Sequence, residues 1–411
     1  MMLFFYNLLV LLLFPIWLFL LWKRQRPHFR ISERMGFYPR SLKNPVWIHG
    51  VSLGEVKLAI KLANILKKKG FEVFLTTTTK AGASQLEKEG FPFAMFPVDF
   101  YLFQKLAVCR LEPKAVILME TEIWPSLFNV LRKKKAACFI VNGRISDRKL
   151  SSYLKFRSIF REALKSCFVS ASSAENLERF ISLGADRNFS AVQSSMKFDV
   201  AGTEHPDIPK DLQCAMRGFL PESGLPVWIA GSVREGEEEL FLKSHVSIKK
   251  EEKDAKMIFA PRHLTGIGSI LEKCWKLGLR PKLRSEIPDK EWDVLIVDTY
   301  GELQNIYSFA RVAFIGGSIL DYGGQNPLEP AALGIPVLFG KHMENFAEEA
   351  EELVRCGGAR TIDDTEKIPE AVIALFKDNV QVQIMRANAL NLVNKTKGAS
   401  EATVDWILEK L

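Results

Sequence analysis

The chain has 411 residues, 47% of them hydrophobic, and a formal net charge of +8. That length exceeds one ordinary core and implies two domains of about 150–200 residues each, while the composition excludes a disordered or low-complexity protein. Six cysteines, at positions 109, 138, 167, 214, 274 and 356, show no CxxC pair or metal-ligand spacing, which fits a reducing compartment and argues against disulfides and zinc.

The first 22 residues, MMLFFYNLLVLLLFPIWLFLLW, contain no charged side chain. A helix needs ~20 apolar residues to cross a bilayer, and Pro15 would kink such a helix without excluding it. No basic segment precedes the run and no small-residue cleavage site follows it, so an uncleaved transmembrane anchor over 1–22 is expected rather than a signal peptide. Residues 23–43 hold seven Lys/Arg against one acid, Glu33, which puts this side and the body that follows in the cytoplasm. Residues 23–200 carry 31 Lys/Arg against 15 Asp/Glu, a net of +16, whereas residues 201–411 carry 25 against 33, a net of −8. A basic half beside an anchor predicts contact with an anionic membrane surface or an anionic lipid. The runs Lys67–Lys69 and Arg132–Lys135 also end predicted helices, where cations complement the dipole, and no nucleic-acid motif accompanies them.

From Val46 onward short apolar strands alternate with helical stretches. VWIHGVS, FEVFLTTTT, FAMFPVD, AVILMET, ACFIVNG and CFVSAS form one series; VWIAGS, AKMIFAPRH, DVLIVDT, VAFIGG and PVLFG form a second. Strands at this spacing argue two parallel, doubly wound α/β sheets. Between the series the pattern lapses over residues 201–225 into Pro, Gly and charge. The expected division is an anchor at 1–22, a membrane-side Rossmann-like domain at 23–200, a linker at 201–225 and a nucleotide-binding Rossmann-like domain at 226–411. Ligands of such sheets sit beyond the carboxyl ends of the strands, and the unusual residues fall there.

HGVSLGE, residues 49–55, puts Glu55 at a helix start. Ser52-x-x-Glu55 reads as a capping box, or Glu55 takes a proton from an acceptor hydroxyl. METEIWP, residues 119–125, places Glu120 and Glu122 at the end of a buried strand, as cleft carboxylates or as caps of the helix starting near Pro125. Arg144 and Arg148 follow another strand and read as solvated charge or as clamps for a phosphorylated acceptor. In MKFD, residues 196–199, Lys197 reads locally as a linker lysine. In AGSVREGEE, residues 230–238, Ser232 falls at an expected helix start whose backbone donors suit a phosphate. Arg262 of the PRH run follows the strand ending IFA, and YGEL, residues 300–303, follows LIVDT.

The most informative stretch is GGSILDYGGQNPLEPAALGIPVLFG, residues 316–340. Glycines after a strand let backbone N–H groups approach a phosphate, and Glu329 at a helix start suits a ribose hydroxyl; an ordinary strand–loop–helix joint is the plain alternative. The GGS strand end, GG-x-NPLEP and PVLFG resemble the donor site of Kdo transferases, the lipopolysaccharide enzymes that move an acidic eight-carbon sugar from CMP onto lipid A. The S-x-GE, ETE-x-WP, KFD, PR and YGEL elements fall in the order of that family across residues 47–346.

The resemblance implies a GT-B pair of Rossmann-like domains facing a cleft, and an inverting transfer of Kdo from CMP-Kdo to the lipid A precursor at the cytoplasmic side of the inner membrane. It assigns Glu55 as general base, Glu120 and Lys197 to the transition state, and Glu122 to support or acceptor binding. Pro261 and Arg262 are implied to contact CMP. Tyr300, Gly301 and Glu302 would meet the nucleotide through backbone, and Asn326, Pro327, Leu328 and Glu329 would complete the donor site with Glu329 on the ribose. No metal or resident cofactor is expected, and no nucleic-acid partner. The chain departs from the family at Gln325 and Arg234, where histidine is common, and at Ser194-Ser195, where a glycine-containing pair is usual. Two rivals stand beside this reading: a GT-B enzyme using another nucleotide sugar, such as a UDP sugar, and a catalytically silent membrane-tethered nucleotide-binding protein. A nicotinamide oxidoreductase fits less well because no GxGxxG follows the first strand.

Overall fold

The computed structural model describes residues 2–25, 30–39, 42–201, 216, 225–286 and 291–411. The chain divides into two compact units, one comprising Met1–Val200 with Gly398–Leu411 and the other Ala201–Lys397. The expected linker at 201–225 falls almost entirely outside the described residues.

In the first unit seven strands lie in the order β3-β2-β1-β4-β5-β6-β7. They are β1 (Val46–His49), β2 (Val73–Thr77), β3 (Phe93–Met95), β4 (Ala115–Met119), β5 (Ala137–Gly143), β6 (Phe168–Ala171) and β7 (Ser190–Val192). All pairings are parallel. Every residue of β1, β2 and β4 is buried, as expected of parallel strands with helices on both faces. Successive residues serve opposite cores. Val46 and Ile48 join one apolar cluster with Leu62 and Leu66, while Trp47 joins the other with Phe74 and Leu118.

The second unit repeats the architecture in the order β10-β11-β9-β8-β12-β13-β14. Its strands are β8 (Val227–Val233), β9 (Lys256–Pro261), β10 (Pro281–Leu283), β11 (Val294–Ile296), β12 (Val312–Ile315), β13 (Val337–Phe339) and β14 (Ala359–Thr361), again all parallel. Both expected α/β sheets are therefore present. In each, the direction of winding reverses between two central neighbours, β1 and β4 in one sheet and β8 and β12 in the other.

The structure corrects the expected extent of the second domain, 226–411. The last helix, Ala399–Glu409, belongs to the first unit. Its Val404 and Ile407 join the cluster that holds Val56 and Leu66, and Trp406 meets the Phe139 ring edge-on, 5.8 Å between centroids. The buried Asp199 carboxylate accepts from Gly398 N at 2.8 Å and Ser400 N at 2.6 Å. These bonds satisfy donors at the helix start that would otherwise be orphaned.

The N-terminal segment also differs from expectation. Among the described residues no helix is long and apolar enough to cross a membrane, so the single-pass anchor over 1–22 is not supported. Met2–Gln25 is helical, but this helix is fastened to the first unit along one stripe. Tyr6 donates to Asp99 Oδ2 at 2.9 Å, and Asn7 Oδ1 accepts from Tyr101 N at 2.6 Å and from Ser126 Oγ at 3.2 Å. Phe14 packs on Phe103, and the Arg34 guanidinium lies over the Trp17 ring. Residues 3, 6, 7, 10, 14 and 17, the half-buried ones, recur at helical spacing. Phe4, Leu8, Leu12, Ile16 and Phe19 on the outward side are all more than 40% exposed.

Candidate active site

In the first unit the functional side chains cluster at the reversal point between β1 and β4, where α/β sheets bind ligands. Ser52 caps the helix Leu53–Lys68, its Oγ accepting from Glu55 N at 3.2 Å. The Glu55 carboxylate in turn accepts from Val51 N at 2.6 Å and from Ser52 Oγ at 3.0 Å. The capping box is thus real, and it does not exhaust Glu55: each oxygen retains a lone pair. Burial and the nearby Glu120 charge both push the Glu55 carboxyl up, which strengthens it as a base.

Glu120 is the first residue past β4 and has φ +54°. A non-glycine residue there is held in a sparsely populated conformation at a cost of order 1 kcal/mol, and Glu120 N bonding to Val141 O at 2.9 Å fixes it. Its carboxylate lies 3.4 Å from Lys197 Nζ. Lys197 is positioned by a second left-handed residue, Asn142 at φ +54°, whose Oδ1 accepts from Met196 N at 3.0 Å. Lys197 is therefore no stray linker lysine; it opens the short helix Lys197–Ala201 inside the cluster.

Glu122 is the most perturbed carboxyl of the group. Burial pushes it up to about 8, and the charges of Glu55 and Glu120 add to that, while the Lys149 charge opposes it. Its loop is pinned through Thr121 Oγ1, which donates to Arg144 O. Arg144 thus contributes its backbone there. The Arg148 side chain lies outside the described set. Three carboxyls and two lysines from four strand ends can hold a proton, release one, and meet developing charge.

The second unit departs from expectation at its glycine-rich turn. Ser232 lies within β8, at φ +56° and beside a break in register with β9, and the next long helix begins at Glu238. It is not at a helix start, so the expected phosphate donors are not there. Glu237, which the sequence reading did not single out, is fully buried. Its carboxylate accepts from Arg234 N (3.0 Å), Gly317 N (2.6 Å), Ile319 N (3.0 Å) and Leu320 N (3.3 Å). Three N–H groups after β12, those of Gly317, Ile319 and Leu320, are therefore taken by an internal anion. Gly316 admits this approach because a Cβ would strike Val233 Cα at 2.5 Å.

The other expected donor residues have distinct surroundings. Pro261 ends β9, and Arg262 is exposed with its N–H donating to Val233 O at 2.8 Å. Tyr300 is 75% exposed and Gly301 has φ +88°. The Glu302 carboxylate accepts from Arg284 at 3.0 Å and from Thr299 Oγ1, so its side chain braces the turn. Asn326 Nδ2 donates to Glu329 Oε1 at 3.2 Å, while its Oδ1 caps Leu328 N at 3.0 Å. Pro327 and Leu328 are buried beneath them. The Glu329 helix spans only Leu328–Ala332, too short for a substantial dipole. Arg234 lies over the Tyr322 ring at 4.6 Å and 3.1 Å from His263 Nε2. A Cβ on Gly317 would touch both Arg234 and Gln325, so the two departures from the family pattern are neighbours. Among the described residues Asp321, His342 and Glu344 are the one group close enough to hold a metal ion; its two acids are exposed, and exposed acids commonly gather without an ion.

A family model described as 3-deoxy-D-manno-octulosonic-acid transferase (kdotransferase) matches residues 29–200. The chain is 28% identical to the 3-deoxy-D-manno-octulosonic acid transferase of Haemophilus influenzae over 98% of its own length and 97% of the relative's. It is 30% identical to the enzyme of the same description from Bordetella pertussis, over 89% of this chain and 87% of that one. Among solved structures, a glycosyltransferase from Rickettsia africae matches with a TM-score of 0.62 at 14% identity, over 89% of this chain and 98% of that one. At that identity the likeness shows the fold alone, a two-domain α/β architecture.

Proposed function

Because the chain belongs to the 3-deoxy-D-manno-octulosonic acid (Kdo) transferase family, we propose that it transfers Kdo from CMP-Kdo to the lipid A precursor, lipid IVA, with inversion. Glu55 removes the proton from a sugar hydroxyl of the acceptor. The hydroxyl oxygen attacks the anomeric carbon of Kdo while the bond from that carbon to the CMP phosphate breaks, and CMP departs. Lys197, held by Glu120, meets the charge that develops, and Arg262 faces the leaving phosphate. The observation that supports this reading most is the carboxyl–lysine cluster of Glu55, Glu120, Glu122 and Lys197 at the reversal point of the first sheet.

In the second unit, backbone around Tyr300–Glu302 and the Asn326–Glu329 pair hold the nucleotide, with Glu329 on the ribose. The basic first unit and the apolar outward face of its N-terminal helix attach the protein to the anionic cytoplasmic face of the inner membrane. The test is incubation of detergent-solubilised protein with CMP-Kdo, generated in situ, and tetraacylated lipid A precursor, read by mass spectrometry. Increments of one or more Kdo masses are expected. An unchanged lipid mass with folded, CMP-binding protein would reject the donor or acceptor. Thermal stabilisation by UDP in preference to CMP would favour a different nucleotide sugar.

The cluster also sets a pH response. Glu55 must be deprotonated to act, so kcat/KM rises with pH along a limb lying above the ordinary carboxylate range. Glu122 keeps its proton below about 8 and there serves as a neutral hydrogen-bond donor. Activity therefore falls above about pH 8, and Glu122→Gln, which is neutral at every pH, removes that fall. Stability gives an independent readout. A carboxyl raised in the folded state contributes stability that is complete below its unfolded pKa and lost as pH rises to about 8. Glu122→Gln should thus melt higher than the wild type at pH 9, by on the order of a few degrees, with the gap closing towards pH 4.5. A profile whose alkaline limb survives the substitution would exclude Glu122 as its source.

A further inference from the structure

The N-terminal helix does not close onto the body along its whole length. Between it and the first unit lies a slot of about 250 Å³, walled by Val10, Phe14 and Trp17 of the helix and by Phe96, Val98 and Trp124 of the body. Protein interiors are close-packed, and an apolar gap of this size forfeits the contacts its walls would otherwise make. Tyr6, Arg34, Thr78 and Asp99 also line it, but its wall surface is mostly apolar, so it offers water few of the several polar partners it needs. An apolar, chain-like occupant fits it. The floor is built from aromatic contacts, with Phe96 and Trp124 rings 5.3 Å apart, and Arg34 is buried at its edge.

Two features identify which chain. The helix that forms one wall turns its other, apolar side outward, so an alkyl chain entering the slot comes from the phase that side contacts. Trp124 is also shared: it lines the slot, and its side chain lies beside the Glu122 carboxyl. A single side chain, Trp124, therefore stands between the slot and the Glu122 carboxyl of the proton-transfer cluster. A hydrocarbon lodged there belongs to the molecule whose hydroxyl reacts at that cluster.

We propose that the slot between the N-terminal helix and the first unit is an acyl-chain subsite that seats one alkyl chain of the lipid acceptor and so sets its sugar beside Glu55. The inference rests on the acceptor being a lipid, as proposed above. Each methylene seated contributes about fourfold in affinity, so three or four of them shift acceptor KM by more than tenfold while leaving the KM for CMP-Kdo unchanged.

The test uses the full chain in nanodiscs with tetraacylated lipid A precursor carrying a diazirine in one acyl chain, and a phospholipid diazirine of equal chain length as control. After irradiation, the acceptor should label the inner stripe (Val10, Phe14, Trp17) and Phe96–Val98, and the phospholipid only outward residues such as Phe4, Leu8 and Ile16. Val10→Trp, which fills the slot, should cut the inner labelling at least tenfold. Leu13→Trp, at a half-exposed lining position, provides a second filling variant with less risk to folding, and both are checked by melting temperature. Acceptor label confined to the outward face, inner label equal for the phospholipid, or inner label indifferent to both filling variants would overturn the subsite. Labelling needs no turnover: inner labelling without Kdo transfer would reject the transferase reading and keep the subsite, whereas transfer without inner labelling would do the reverse.

Discussion

Glu55→Gln should lower kcat by ~10²–10⁴-fold, the range typical for loss of a general base, while the first unit stays folded and CMP binding is unchanged. The choice of glutamine matters because Glu55 has two separate tasks. It closes a capping box, accepting from Val51 N and Ser52 Oγ, and glutamine is the other residue type that serves in such a box. Its amide oxygen can still take the Val51 bond, and its nitrogen can donate to the Ser52 hydroxyl. What glutamine cannot do is receive a proton from an acceptor sugar. Glu55→Ala removes both tasks and adds a capping loss of ~0.5–2 kcal/mol, so comparing the variants separates chemistry from stability. Single-turnover rates with saturating donor, together with melting temperature and CMP-induced thermal shift, make the measurement. A glutamine variant that turns over within about threefold of wild type would remove Glu55 from proton transfer.

The second large effect is expected far from any substrate hydroxyl. Glu237→Gln should destabilise the second unit by ~2–6 kcal/mol and weaken CMP binding at least tenfold. The buried carboxylate accepts four backbone N–H groups, two on each oxygen. An amide keeps one oxygen and presents N–H against N–H at the other, so two donors lose their partners at ~1–3 kcal/mol each. The donors belong to the turn after β8 and the loop after β12, so their release disorders both sides of that reversal point together. Acceptor binding at the first unit should be untouched. Denaturant melts of the two units and calorimetric titration with CMP check this. Unaltered CMP affinity in a destabilised variant would show that this loop does not shape the nucleotide site.

The sequence makes the winding of both sheets readable because buried parallel strands are written as short apolar runs. Eleven of the fourteen strands correspond to such runs. The three without one, β7, β10 and β14, are sheet edges of three residues each, largely half-exposed or exposed, so no apolar run marks them. Glu55, Glu120 and Lys197 were legible as residues, and the structure brings all three to one place. The protonation of Glu122 was not, because it depends on burial by segments distant in sequence. Glu237 was hidden for a different reason: within the acidic GEEE run it reads as a solvated helix start, and only the four N–H groups converging on it distinguish it from its neighbours. The left-handed turn at Glu120 has no residue signature, since glutamate there is a local exception held by its surroundings.

The return of residues 398–411 to the first unit makes the second unit, topologically, an insertion. A ribosome that has released Val200 has made all of the first unit except the helix that closes it. At ~5–20 residues per second, the chain passes some tens of seconds before the last helix emerges. Through that interval the cluster of Val56, Leu62 and Leu66 lacks the part that Ala399, Val404 and Ile407 supply, and Asp199 waits for Gly398 and Ser400. The second unit can complete its own core first. Synthesis order and folding order are then reversed, so a nascent-chain chaperone, or an extension fused after Leu411, acts on the first half of the protein by way of its last residues.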